Sequence, residues 1–251
     1  MKEVKDMNTD IVYTKSDFLN LFQQLNIKQG SSVCLQLNMS NFDYIAGGAE
    51  TVIEALMAHV TSGGCVFMPT YTTSMLDPAC LNLVPYERWD DVRRETMGYD
   101  KKKTPCDNPV ADVFLKMSSV KRSSHPIYSF AYWGTYPSSV LKQSMDYPLS
   151  FRNVLKPLMN ENAVNLIIGD RPQSSVMLEP LAKTLEKERT IVQRAIVRKG
   201  NTHQMKSFLF TETDASVKRQ LLKMLDCRKV SEAEIYKISL EETGSINNSA
   251  M

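Results

Sequence analysis

The chain has 251 residues, 43% of them hydrophobic, with 30 Lys plus Arg against 28 Asp plus Glu. That length and apolar content can bury one substantial core and exclude a disordered chain, while a net charge of +2 lacks the concentrated field of a dedicated nucleic-acid binder. The five scattered cysteines (Cys34, Cys65, Cys80, Cys106, Cys227) form no C-x-x-C pair, and no apolar run approaches 18 residues, so neither a disulfide framework, a zinc ribbon nor a membrane span is expected, and the chain reads as cytoplasmic.

In chain order, residues 16–25 place Phe18, Leu21, Phe22 and Leu25 at helical spacing, with Ser16 as candidate cap and Gly30 as stop. Residues 33–37 form a short apolar run. After Gly47-Gly48, the residues Val52, Ile53, Leu56, Met57 and Val60 repeat the helical spacing, and Gly63-Gly64 ends it before strand-like residues 65–68. Strand, glycine-opened helix and strand in that order predict a βαβ unit. Residues 70–121 are irregular and polar, with Pro78, Pro85, Pro105 and Pro109, which predicts long loops carrying short helices. Regular pattern returns with a strand over 128–133, part of a helix over 154–159, and a buried strand over 164–168 that Gly169 ends. The last third alternates patterned stretches at 190–198, 205–211 and 235–240 with a helix over 215–225, and residues 244–251 are a polar tail behind a single domain of residues 1–243. Near-continuous and alternating strands together predict a mixed β-sheet flanked by helices, a three-layer α/β architecture.

Several polar groups gather just before the strand at 128–133. Arg122 offers a planar fork of donors suited to phosphate, with the hydroxyls of Ser123 and Ser129 beside it; the same arginine also suits a solvated ion pair. His125 has a free pKa suited to proton transfer at neutral pH, and a histidine before proline equally suits a fixed backbone contact. Gly47-Gly48 leaves bare N–H groups at a helix start, which fits either an anionic or carbonyl-bearing ligand or a tight turn. Lys101-Lys102-Lys103 could similarly meet a ligand phosphate, but a lysine triplet in a loop reads first as solvated. His59 and His203 have no partner at metal-ligand spacing, and no metal site is expected.

The stretch Arg122-Ser123-Ser124-His125-Pro126-Ile127-Tyr128-Ser129-Phe130-Ala131-Tyr132-Trp133-Gly134 resembles the R-S-x-H-P-x-x-S-F-x-x-x-G segment of the aminoglycoside 3-N-acetyltransferase family. The glycine-opened helix from Ala46, the segment Cys65-Val66-Phe67-Met68-Pro69-Thr70-Tyr71, Thr104-Pro105, and the run from Pro148 to Gly169 resemble family stretches in the same order. The resemblance implies that family's fold, acetyl-CoA or another acyl-CoA as co-substrate, a small-molecule amine acceptor, and direct transfer without an acyl-enzyme. It places the donor near Gln36, Asn38, Ser40, Gly47, Gly48, Arg122, Ser123 and Ser129.

The sequence departs from the family at the base. The family's His-x-x-Glu pair follows the strand that here ends at Gly169, and the corresponding Ser174-Ser175-Val176-Met177-Leu178-Glu179-Pro180-Leu181-Ala182 has no histidine. His125 and Glu179 are the candidate replacements, with His125 preferred because it titrates nearer working pH. In the first strand-to-loop motif, Gln36, Asn38, Met39 and Ser40 stand where the family commonly has a histidine and small hydroxyl residues, and these side chains can hydrogen-bond but cannot act as bases. The C-terminal stretch also lacks a turn and helix usual in the family, a packing element that a second copy of the chain could supply.

Two functions follow as expectations: an N-acyltransferase passing an acyl group to an amine of a sugar or related metabolite, or a non-catalytic member that binds an acyl thioester or a protein partner. Residues 74–112 hold eight acids against six bases, too small a surplus to expect a polycationic acceptor.

Overall fold

A computed structural model describes residues 11–81, 83–150, 156–158, 163–182, 189–230 and 234–240. Its centre is a seven-stranded sheet built on three parallel strands, β2 (Ser32–Leu37), β4 (Cys65–Pro69) and β7 (Val164–Ile168). β2 lies between the other two, pairing Val33 with Val66 on one side and with Val164 on the other. Antiparallel strands extend both edges. β6 (Phe130–Gly134) and β5 (Lys121–Arg122) follow β4, and β11 (Ile235–Ser239) and β10 (Cys227–Val230) follow β7. The mixed sheet expected from the sequence is therefore present.

One face carries α1 (Lys15–Gln24), α2 (Gly48–Val60) and α4 (Pro109–Lys116), whose Phe18, Phe22, Ile53, Leu56 and Phe114 are buried with Val33, Leu35 and Val66 of the sheet. β1 (Val12–Tyr13) and β3 (Tyr44–Ile45) form a small parallel pair beside this layer. The opposite face buries Cys34, Phe67, Phe130 and Ile167 beneath α5 (Leu178–Ala182), α6 (Ala215–Met224) and a long antiparallel ribbon of β8 (Arg189–Lys199) and β9 (Thr202–Glu212). The patterned stretches at 190–198 and 205–211 fall within β8 and β9, which form a sheet with each other and stand apart from the central sheet. The irregular region expected at 70–121 holds three 3-10 turns, α3 (Trp89–Glu95) and α4. It is tied to the ribbon through buried Asp77, which receives Arg93 Nε and Nη2 at 3.1 Å each and faces Arg194 at 3.7 Å.

Three boundaries differ from expectation. The first helix is capped by Thr14 rather than Ser16, because the Asp17 carboxylate reaches back to accept from Thr14 N–H and Oγ1, at 2.8 and 2.7 Å. The strand expected at 128–133 begins at Phe130, since the Ile127 and Tyr128 N–H groups are directed at His125 Nδ1 instead of a neighbouring strand. The helix expected at 154–159 falls largely outside the described residues, and 156–158 form a turn. Residues 244–251 also lie outside them. Among the described residues, no helix is long and apolar enough to cross a membrane.

Candidate active site

In an open α/β sheet, ligands bind beyond the carboxyl ends of parallel strands where the strand order reverses. Here that point is β2, whose neighbours β4 and β7 leave in opposite directions. A cleft of about 190 Å³ opens there, lined by Leu35 to Asn38 from β2, Met68, Pro69 and Tyr71 after β4, Asp107 and Asn108 ahead of α4, and Asp170 after β7.

Each wall has a local cause. Asn108 caps α4 by accepting from Val110 N–H at 3.0 Å, and its Nδ2 donates to the Leu37 carbonyl at 3.0 Å, so one side chain joins the helix start to the end of β2. Asp107 is set by Thr73 N–H, which donates to its carboxylate at 2.9 Å. Gly169 has φ +74°, and a Cβ there would come within 2.1 Å of the Asn38 carbonyl, so only glycine lets the β7 exit pass the β2 exit this closely. Asn38 uses Oδ1 to accept from Ser40 N–H and Oγ, at 3.0 and 2.8 Å. Gln36 is committed to the loop after β7, donating to the Ser174 carbonyl and accepting from Val176 N–H.

The cleft is acidic. Asp107 and Asp170 line it, and among the described lining residues there is no lysine, arginine or histidine. Folding separates the mixed charges of 74–112: Arg93 faces Asp77, the three lysines of 101–103 border a different basin, and Asp107 is left at the cleft.

The profile of the family described as aminoglycoside 3-N-acetyltransferase matches residues 35–245. The chain belongs to that family. It is 32% identical over 175 residues to the SPbeta prophage-derived aminoglycoside N(3')-acetyltransferase-like protein YokD of Bacillus subtilis, an alignment covering 67% of this chain and 64% of that relative. The crystal structure of YokD superposes with a TM-score of 0.81 at 24% identity, covering 99% of this chain and 96% of the other. The aminoglycoside acetyltransferase AAC-IIIb, solved as a binary complex with CoASH, gives a TM-score of 0.75 at 14% identity, covering 95% and 96% of the two chains.

Of the residues that the resemblance to aminoglycoside 3-N-acetyltransferases assigned to the donor, the structure brings Gln36 and Asn38 to the cleft, with Ser40 bonded to Asn38. It does not bring the others there. Gly47 and Gly48, at φ +78° and +64°, open α2 away from the cleft lining, and a Cβ on Gly47 would lie 2.3 Å from Thr51 Oγ1, so the first glycine answers a tight local turn. Arg122 is only 5% exposed. Its Nε donates to Ser129 Oγ at 2.9 Å, Nη2 to the Thr70 carbonyl at 2.7 Å, and Nη1 to the carbonyls of Lys101 and Thr104 at 3.4 Å each. Ser129 donates to the Thr70 carbonyl, and Ser123 joins Gln143 to the Phe130 N–H. The motif that carries the family signature is thus largely a buried hydrogen-bond knot holding the 70–72 turn against β6.

His125 is buried with Nδ1 accepting from Ile127 and Tyr128 N–H at 3.2 and 2.9 Å, and its ring meets Phe208 edge-on at 4.8 Å. Burial pulls its pKa down to about 3, against a weaker opposing effect of the Met145 backbone, so the ring is neutral at pH 7. Glu179 opens α5 and pairs with Lys218 of α6; burial raises its pKa while Lys218 opposes the rise. Neither residue lines the cleft. Met177, in the stretch that bears the family's base, is fully buried. The residues missed in the sequence are Asp107, Asn108 and Asp170. Their signals were an Asn-Pro helix start and an acid directly after a strand-ending glycine.

Proposed function

We propose that the protein is a coenzyme A-dependent N-acyltransferase whose acceptor is a small amine bound as its ammonium ion. The observation that carries this reading is that Asp107 and Asp170 both line a cleft with no basic side chain among its described lining residues, at the strand-order reversal. Family membership and the likeness to AAC-IIIb, solved with CoASH, support the donor. The lining also fits an acyl thioester: Leu35, Leu37, Met68 and Pro69 give an apolar strip, and Asn38 presents an amide whose oxygen is held by Ser40. This acidic cleft revises the expectation of a weakly cationic acceptor.

Proton acceptance belongs in this reading to the cleft carboxylates rather than to His125 or Glu179, which stand outside it. Asp107 or Asp170 first takes one proton from the ammonium ion and frees its lone pair. The nitrogen then bonds to the acyl carbon as the C–S bond breaks, its surplus second proton passes to the leaving sulfur to give the thiol, and the carboxyl returns its proton to water. Direct transfer is supported by the cysteines: Cys34, Cys65 and Cys106 are buried with raised pKa values, and none lines the cleft.

The test is thiol release from acetyl-, propionyl- and longer acyl-CoA with a panel of mono- and polyamines. Asp107→Asn and Asp170→Asn should each raise the amine KM about tenfold or more, equivalent to roughly 1.4 kcal/mol. Buried Met177 and the Lys218-bound Glu179 favour a second reading, a non-catalytic amine-binding member. Calorimetric binding of amine and coenzyme A without turnover of any pair would establish it over the first.

A further inference from the structure

Toward its tip, the β8–β9 ribbon is covered along the β8 edge and bare along the β9 edge. On β8, Leu76 bridges Ala195 and Tyr99 bridges Val197. Tyr99 N–H donates to the Ile196 carbonyl at 2.8 Å, and Arg198 N–H to the Tyr99 carbonyl at 3.3 Å. On β9, Leu209 N–H donates away from the ribbon, to the Asp146 carbonyl at 2.7 Å. In an antiparallel pair alternate residues turn both backbone groups outward, so His203, Met205 and Ser207 share the direction of Leu209. Among the described residues, the outward N–H and C=O groups of these three have no partner, and all three residues are exposed.

A basin of about 520 Å³ adjoins this edge. It is lined by Val197, Arg198 and Lys206 of the ribbon, by Lys101, and by Pro126 and Met145, the last standing next to the Asp146 that covers β9 at Leu209. The basin and the acidic cleft share no described lining residue. Among the described residues, Lys101, Arg198 and Lys206 have no ion-pair partner. The one carboxylate of the described lining, Asp100, accepts from Lys102 N–H at 2.9 Å. Side chains alternate across a strand, so Lys206 lies on the face of β9 that buries Phe208, while Met205 and Leu209, 38% and 42% exposed, lie on the other.

We propose that the bare edge of β9, with the basin beside it, is a docking site for an extended acidic segment of a partner protein, which adds as a strand along residues 203–207. The outward backbone groups of His203, Met205 and Ser207 supply the pairing. Side chains on one face of the added strand meet Lys206 and Lys101, and those on the other meet Met205 and Leu209. Charge decides the occupant. A second copy pairing edge to edge would bring Lys199 and Lys206 of both chains together, and an exposed lysine on an edge opposes such self-pairing. Carboxylates set against Lys101, Arg198 and Lys206 are instead attracted. This docking site does not depend on the acyl-transfer reading.

The test is fluorescence anisotropy with a dye-labelled octapeptide of alternating Glu and Val, its counterpart with Lys for Glu, and a version whose backbone nitrogens are methylated. The acidic peptide should bind saturably, and the basic and the N-methylated peptides should each bind about tenfold or more weakly than it. Met205→Pro removes one outward N–H and no β8–β9 bond, so the chain should keep its circular dichroism while Kd for the acidic peptide rises about tenfold or more. Lys206→Glu should weaken binding and flatten its salt dependence. No saturable binding of the acidic peptide, equal binding of the acidic and basic peptides, or an N-methylated peptide that binds as well as its parent would overturn the proposal. Displacement of the peptide by inorganic phosphate at constant ionic strength would overturn it in favour of a small-anion site.

Discussion

The Gln36 carboxamide holds both sides of Ser175: Nε2 donates to the Ser174 carbonyl at 3.0 Å, and Oε1 accepts from Val176 N–H at 2.9 Å. Ser175 is itself buried, its hydroxyl donating to Asn165 Oδ1 while Asn165 Nδ2 donates to the Cys34 carbonyl at 2.9 Å. A β2 side chain thereby fixes the loop after β7, which is the stretch that carries the family's base. Gln36→Leu removes both bonds and leaves two partly buried backbone groups without partners, so stability should fall by about 2 kcal/mol in urea unfolding. Amide exchange at Val176 should quicken in the same variant.

His125 gives the protein a pH dependence of stability. Its ring binds a proton near pH 6.5 in an unfolded chain but only near about 3 when buried in the fold. Between those values the unfolded state holds more protons, so stability declines as pH is lowered below about 6.5, by up to about 1.4 kcal/mol per pH unit. His125→Asn keeps an acceptor for the Ile127 and Tyr128 N–H groups and removes the titration. Urea midpoints at pH 7, 6 and 5 should therefore drop in the wild type and change much less in the variant; an equal slope in both would disprove this role.

Asp77 acts at lower pH. Burial by itself raises its pKa, but the Arg93 bonds, the Ala79 N–H and the charge of Arg194 outweigh that and leave it lowered. A lowered folded value contributes stability that is complete above the unfolded pKa near 3.9 and is lost as pH falls through the folded one. Asp77→Asn should cost about 2–3 kcal/mol at pH 7 and erase the added acid sensitivity below pH about 4. Limited proteolysis of the 72–107 region should accelerate in the variant, because Asp77 joins that region to β8.

The Tyr71 hydroxyl is buried without a hydrogen-bond partner among the described residues, its ring packed edge-on against Tyr128 at 5.1 Å and Phe130 at 5.7 Å. Burial holds its pKa well above the ordinary tyrosine value, with the nearby Glu179 charge adding to the shift. Tyr71→Phe removes an unsatisfied polar atom and keeps the ring, so the ligand-free variant should be at least as stable as the wild type, by up to about 1 kcal/mol in thermal unfolding. A loss of stability would show that the hydroxyl has a partner in solution.

Much of this fold is set locally and so can be read from the chain. The helical spacing of Phe18, Phe22, Val52, Leu56 and Val60, the apolar runs at β2, β4 and β7, and the long ribbon strands all report nearest-neighbour geometry and burial of one face. The same holds for the motif from Arg122 to Gly134, whose spacing identified the family. Burial then decided what those residues do: Arg122, Ser123 and Ser129 bond to backbone and to neighbouring side chains, and His125 is held neutral. Sequence gives the donors and acceptors that a residue owns but not which of them find partners across the fold.

By itself, the sequence determined the family, the mixed sheet and the absence of a histidine between Pro126 and Thr202. Only the tertiary structure decided which charges share a surface. Asp107 lies four residues from Lys103 in the chain, yet one lines an acidic cleft and the other a basic basin, because the 104–108 segment runs between them and α4 starts at its end. Asp170, which lines the cleft with Asp107, comes from a distant strand brought alongside β2 by register. Electrostatic fields follow distance through space, and a charge count along the chain cannot supply it.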